Sequence, residues 1–244
     1  MSLSAKQSLF QRLTVMVEEL QKNDRIFLSR WTHGVGATDA QLAVAEKTLG
    51  IPLCKPVADF YREANGVCLV WFDREGETYQ YNDAAQQQHG DFPPRIYELE
   101  NVAPIDGGLY FPPIEKVFAA PMLEYYADAP EPLRVYGEDT DRQALAQRIY
   151  PFDMPGTFHH AAFRITNREA TPEVLIVDDH SCLTDSYLTD FPSYVECILA
   201  TWAHIGTRMR HYLAGSIRRE RDPNPRGDGV DYWHSHQRAL ASLL

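Results

Sequence analysis

No stretch of this 244-residue chain approaches the run of about 20 apolar residues that spans a bilayer. Its start shows neither the short apolar block nor the small-residue cleavage site of a signal peptide. A membrane-spanning helix is excluded and a cytoplasmic protein is expected. Cysteine is scarce: Cys54, Cys68, Cys182 and Cys197 fall singly, without a C-x-x-C pair. A disulfide-stapled secreted scaffold is therefore excluded, and three of the four stand among apolar residues as small buried thiols would. Positive charge is short as well, with 23 Lys and Arg against 34 Asp and Glu and a net charge of −11. The deficit sits in residues 31–204, which carry 11 Lys and Arg against 27 Asp and Glu, a net of −16. Such a body repels nucleic acid and attracts a basic partner, or serves solubility alone.

Signatures of chemistry are missing too. There is no G-x-S-x-G elbow and no H-E-x-x-H helix. Gly34 and Gly36 lack the spacing and the preceding strand that a phosphate-cradling loop requires. Asp178-Asp179-His180 with Ser181 invites a catalytic reading, since a histidine beside carboxylates serves as base or metal ligand. Neighbouring residues of a strand point to opposite faces, however, and the segment ends a β-prone run where polar residues are ordinary. His159-His160 meets the same objection, and His234 and His236 have no cysteine cluster beside them. The expectation is no catalytic residue, no metal and no cofactor. Five arginines between Arg208 and Arg221 read as a solvated helix end beside so acidic a body.

What the chain does carry is concentrated in Thr38 to Gly66, TDAQLAVAEKTLGIPLCKPVADFYREANG. Thr38 and Gln41 stand at capping-box spacing, and Leu42, Ala45 and Leu49 then share a helical face. Gly50 is placed to close that helix in the left-handed conformation, and Pro52 prevents its continuation. Pro56 fits the first turn of a second helix, which carries Val57, Phe60, Tyr61 and Ala64 at helical spacing and stops at Asn65-Gly66.

The ordered series Glu46, Leu49-Gly50, Pro52, Phe60, Tyr61 and Asn65-Gly66, followed by an apolar strand, resembles the SUKH superfamily of bacterial immunity proteins and fungal cell-wall regulators. The resemblance spans roughly residues 30 to 204. This chain departs from it at Cys54-Lys55-Pro56 and in a long stretch after Tyr81. It implies an α+β fold, a central, mainly antiparallel sheet packed against N-terminal helices and a long closing helix. It also implies a non-enzymatic protein-binding module, either an immunity protein that neutralises a basic toxin domain such as a nuclease, or a regulatory scaffold like the fungal members. An enzyme of unknown chemistry is the third alternative, since a spatially assembled site needs no local motif.

The remaining segments fit that outline. Residues 5 to 22 make an amphipathic helix through Phe10, Leu13, Val17 and Leu20. Ile26 to Trp31 reads as an apolar link. Val67 to Phe72 reads as a central strand, with a turn from Asp73 to Gly76 and a returning partner from Glu77 to Tyr81. The punctuated stretch 82–113, with Gly107-Gly108 and Pro112-Pro113, reads as an excursion with a short strand at Ile96 to Leu99. A helical segment begins at Ile114, Glu138 to Asp141 reads as a turn, and Ile149 to Phe152, Phe158 to Ile165 and Glu173 to Val177 read as strands. Asp190 caps the strongest helical pattern, Phe191 to Trp202, which reads on through Ile205, Met209 and Tyr212. The expected division is an N-terminal helix (1–29), an α+β domain (30–204) and a helical C-terminal extension (205–244). Candidate partner contacts are the acidic groups near strand ends, Asp73, Glu75 and Glu77 in one loop and Asp178, Asp179 and Asp185 in another.

Overall fold

The computed structural model describes residues 7–75, 106–119, 133–135, 138–140, 148–156, 159–165, 173–178 and 187–204. The first helix, α1 (Leu9–Gln21), opens on Ser8, whose hydroxyl accepts from the Gln11 N–H while the Gln11 side chain accepts from the Ser8 N–H. The same reciprocal box, made by Thr38 and Gln41, opens α2 (Asp39–Leu49). Between them lies β1 (Ile26–His33). α3 (Lys55–Glu63) follows with Pro56 in its first turn, then β2 (Val67–Asp73). Gly66 sits at the turn into that strand with φ of 100°, a conformation a residue with a side chain would strain to adopt.

β2 is the middle of a three-stranded antiparallel sheet, flanked by β1 and by β3 (Gly107–Phe111). After the single turn of α4 (Ile114–Val117), β4 (Leu133–Val135) and β5 (Glu138–Thr140) form a small hairpin. The strands β6 (Ile149–Gly156), β7 (His159–Arg164), β8 (Glu173–Asp178) and β9 (Tyr187–Thr189) then make an antiparallel meander. α5 (Phe191–Ala200) closes the described fold, its Asp190 cap accepting from the Ser193 N–H at 2.7 Å. The architecture is α+β.

Alternation along β2 decides which side chains meet the helices. Leu69 and Trp71 enter a core shared with Leu13 and Val17 of α1, Phe60 and Tyr61 of α3, and Phe191 and Ile198 of α5. Phe60 is the hub. Its ring lies between 5.3 and 6.0 Å from that of Tyr61, its neighbour on α3, and from those of Phe10, Phe111 and Phe191, one from each of three elements around it. Phe152 of β6 stacks on Phe163 of β7 at 4.1 Å and carries this core into the meander.

Several expectations are corrected. Ile26 to Trp31 is no link but most of β1, paired along its length with β2 and bulged between Leu28 and Arg30. Gly34 is therefore preceded by a strand after all. Its N–H nevertheless donates to the Gly66 carbonyl and that of Ala37 to the Tyr61 carbonyl, so the loop spends these amides inside the protein. Gly107-Gly108 opens β3 rather than interrupting the chain, and β1 and β3 take the two sides of β2. Glu138–Thr140 is extended, not a turn. β1 runs through residues 29 and 30, and α1, expected to pack on the domain, contributes Leu13, Met16, Val17 and Leu20 to the common core. α5 ends at Ala200, and Trp202 and Ala203 turn the chain out of the helix with φ of 53° and 57°. Glu77 to Tyr81, Ile96 to Leu99 and the extension 205–244 lie outside the described residues.

Candidate functional site

The residues that carry the family resemblance do structural work. Glu46 reaches across the connection between α2 and α3, its Oε1 accepting from the Leu53 N–H at 2.9 Å, while Gly50 (φ 70°) ends α2 and exposed Pro52 lies in the connection. Asn65 is buried and bonded on both sides. Its Oδ1 accepts from the Ile114 N–H at 2.8 Å, and its Nδ2 donates to Glu115 Oε2 at 3.0 Å. Glu115 Oε1 in turn accepts from Gln41 Nε2 at 3.2 Å, so one amide ties the end of α3 to α4 and, through Glu115, to α2. Burial opposes the charge on Glu115. The hydrogen bonds from Asn65, its own backbone and Gln41, with Lys116 nearby, outweigh that and hold its carboxyl below the ordinary value.

The first acidic loop is a closed corner. Arg25 donates from Nε to Asp73 Oδ1 at 2.9 Å and from Nη2 to Oδ2 at 2.8 Å, and the Glu75 N–H donates to the same Oδ1 at 3.0 Å. The Asp73 N–H donates to Asp106 Oδ2 at 2.8 Å. Burial again works against the carboxylate, and Arg25 and the Glu75 amide overcome it, so the Asp73 carboxyl also titrates below its usual range. The Asp73 side chain is 15% exposed and that of Glu75 71%, so Glu75, whose Oε2 lies 3.2 Å from Arg25 Nε, is the carboxylate this corner presents to solvent. Arg74 lies over the Phe27 ring at 5.3 Å, so cations and carboxylates alternate here. In the second loop, Asp178 ends β8 opposite His159. Glu77, Asp179 and Asp185 lie outside the described residues, as do His180, His234 and His236.

One polar cluster escapes the sequence reading. Asp153 of β6 is fully buried, and its Oδ1 accepts from the Tyr110 N–H at 2.8 Å while its Oδ2 accepts from the Tyr194 hydroxyl at 2.6 Å. A carboxylate in the apolar run Ile149-Tyr150-Pro151-Phe152-Asp153 was the available signal, since a charge in such a run must find partners. Nearby, the Tyr61 hydroxyl is buried without a hydrogen-bond partner among the described residues. Burial, followed by the proximity of Asp153, Glu115 and Tyr110, pushes its ionisation far above the phenol range. The thiols lean the same way. Burial raises Cys54 and Cys68, the latter against the pull of Arg30, so both favour the protonated form, which is the poor nucleophile.

Among the described residues no group of three or more His, Cys, Asp and Glu is placed to hold a metal ion, and no helix is long and apolar enough to cross a membrane. The buried polar groups of Asn65 and Asp153 tie elements together. No family model matches this chain, and no curated protein matches it.

Proposed function

We propose that this chain is a non-enzymatic protein-binding module of the immunity type, which neutralises a basic toxin domain in the cytoplasm by direct contact. The observation that carries the reading is the charge of the body, 11 Lys and Arg against 27 Asp and Glu over residues 31–204. A toxin that cleaves nucleic acid presents a cationic surface, and an acidic partner covers it with the complementary sign. The resemblance to SUKH proteins supports the same reading. Its residues Glu46, Asn65, Phe60 and Tyr61 belong to the scaffold, so recognition falls to what the scaffold displays, Glu75 among it.

The test is co-expression with the product of a toxin-encoding neighbour gene, read as co-purification and as rescue of growth. Stable binding with rescue supports the proposal. A chain that neither binds nor protects, and instead retrieves a broad set of housekeeping proteins, overturns it in favour of a regulatory scaffold.

A further inference from the structure

Two successive residues with side chains, Trp202 and Ala203, leave α5 in the left-handed region, with φ of 53° and 57°. That region is disfavoured for any residue carrying a β-carbon, and helices that end this way ordinarily place glycine there. The conformation persists because both sides of the segment are tied. On the helix side, the Trp202 N–H donates to the Leu199 carbonyl at 3.3 Å and the Ala203 N–H to the Ile198 carbonyl at 2.9 Å, the crossed pair of a left-handed helix end. On the sheet side, the Trp202 carbonyl accepts from Trp71 Nε1–H and the Ala203 carbonyl from the Gly108 N–H, each at 2.9 Å. His204 bridges to Gly107, and its ring lies 5.9 Å from that of Trp71. Gly107 makes room for this arrangement, because a β-carbon there would fall 2.1 Å from the Trp71 indole.

The segment also covers something specific. β2 takes one side of β3, and on the other side the Gly108 amide is used by Ala203 and the Tyr110 amide by Asp153. Without the segment, the Gly107-Gly108 end of β3 is an open strand edge. We propose that Thr201 to His204 is a strained latch, which opens as a unit ahead of global unfolding and in doing so bares that edge. Opening relieves two left-handed residues and breaks few hydrogen bonds while leaving the ladders of both sheets intact, the pattern expected of a local rather than a global transition. This inference is independent of the proposed function.

Native-state hydrogen exchange on the full chain tests it, because the latch holds two identifiable protons, the Gly108 N–H and the Trp71 Nε1–H. Both are expected to exchange together, at least about 10-fold faster than the Leu69 amide of β2, and with little dependence on added denaturant. Exchange of the pair at the rate and denaturant slope of Leu69 would overturn the latch. The strain is tested by comparing Trp202→Ala with Trp202→Gly, which lose the same indole; glycine relieves the positive φ of the closed latch, and its greater backbone freedom when open works against the slowing expected from that relief. The Gly108 amide is expected to exchange about 5-fold more slowly in the glycine variant than in the alanine variant. Equal or faster exchange with glycine would remove strain from the argument.

Discussion

The Arg25 guanidinium grips the Asp73 carboxylate at both oxygens, at 2.9 and 2.8 Å, and so closes the end of the β1–β2 pair from 48 residues away in sequence. Glu75, two residues on, reaches the same guanidinium, its Oε2 lying 3.2 Å from Arg25 Nε, yet the two carboxylates differ in burial. Asp73 is committed inside the fold, whereas Glu75 keeps most of its surface in water.

The two should therefore respond differently to charge reversal. Asp73→Lys is expected to cost about 1–3 kcal/mol, between the values for an exposed and a buried ion pair, because it also sets two cations side by side. Glu75→Lys is expected to change stability by less than about 0.5 kcal/mol. Urea unfolding midpoints of the two variants decide it, and equal small effects would mean that the Arg25 pair contributes nothing measurable.

Acid should weaken the fold through the same group and through Glu115. Each carboxyl titrates lower in the folded chain than in the unfolded one, so its contribution is complete above the unfolded value of about 4 and is lost as pH falls through the folded one. Unfolding midpoints should drop as pH falls below about 4, and a variant with both Asp73→Asn and Glu115→Gln should show a shallower drop. An unchanged slope in that variant would assign acid sensitivity to other carboxylates.

Two tyrosines make a further contrast. Tyr194→Phe leaves the buried Asp153 carboxylate short of a donor and is expected to cost about 1–3 kcal/mol. Tyr61→Phe removes a buried hydroxyl that has no partner among the described residues, and is expected to be neutral or to stabilise by up to about 1 kcal/mol. Denaturant unfolding reads both. A loss above about 1 kcal/mol at Tyr61 would show that its hydroxyl is bonded, with water as the first candidate.

These contrasts also mark what was legible in the sequence. Features with local causes came through: the Thr38 cap, the Gly50 and Gly66 turns, the helical faces that bury Leu42 and Phe60, and the Asp190 cap. Features imposed by distant partners did not. β1 was hidden because its bulge between Leu28 and Arg30 breaks the alternation that announces a strand. Gly107-Gly108 looked like punctuation, and only the Trp71 indole shows why a strand uses glycine there. No glycine or proline marks the end of α5, because the sheet holds Trp202 and Ala203 in the conformation a glycine would otherwise supply. Among the candidate contacts, acidic composition singled out Asp73 and Glu75 equally; Arg25 pairs with both, and burial tells them apart.

If the acidic body recognises a cationic toxin, its charge should act mainly on encounter. Exposed pairs contribute only about 0–1 kcal/mol each, whereas the summed field can raise association rates about 10-fold or more. Screening at about 0.15 M salt acts over roughly 8 Å, so added salt should slow association strongly and leave dissociation to the short-range contacts. Glu75→Lys, the reversal that spares the fold, should slow association at low salt in the same sense, by a smaller factor because it changes one site of many. Asp73→Lys is the wrong probe, since its effect on binding would be confounded by the loss of the Arg25 pair. Stopped-flow or surface-based kinetics with the toxin domain resolves the two rates. An association rate indifferent to both salt and Glu75→Lys would mean that the carboxylates serve solubility, and binding would then have to rest on shape and apolar contact alone.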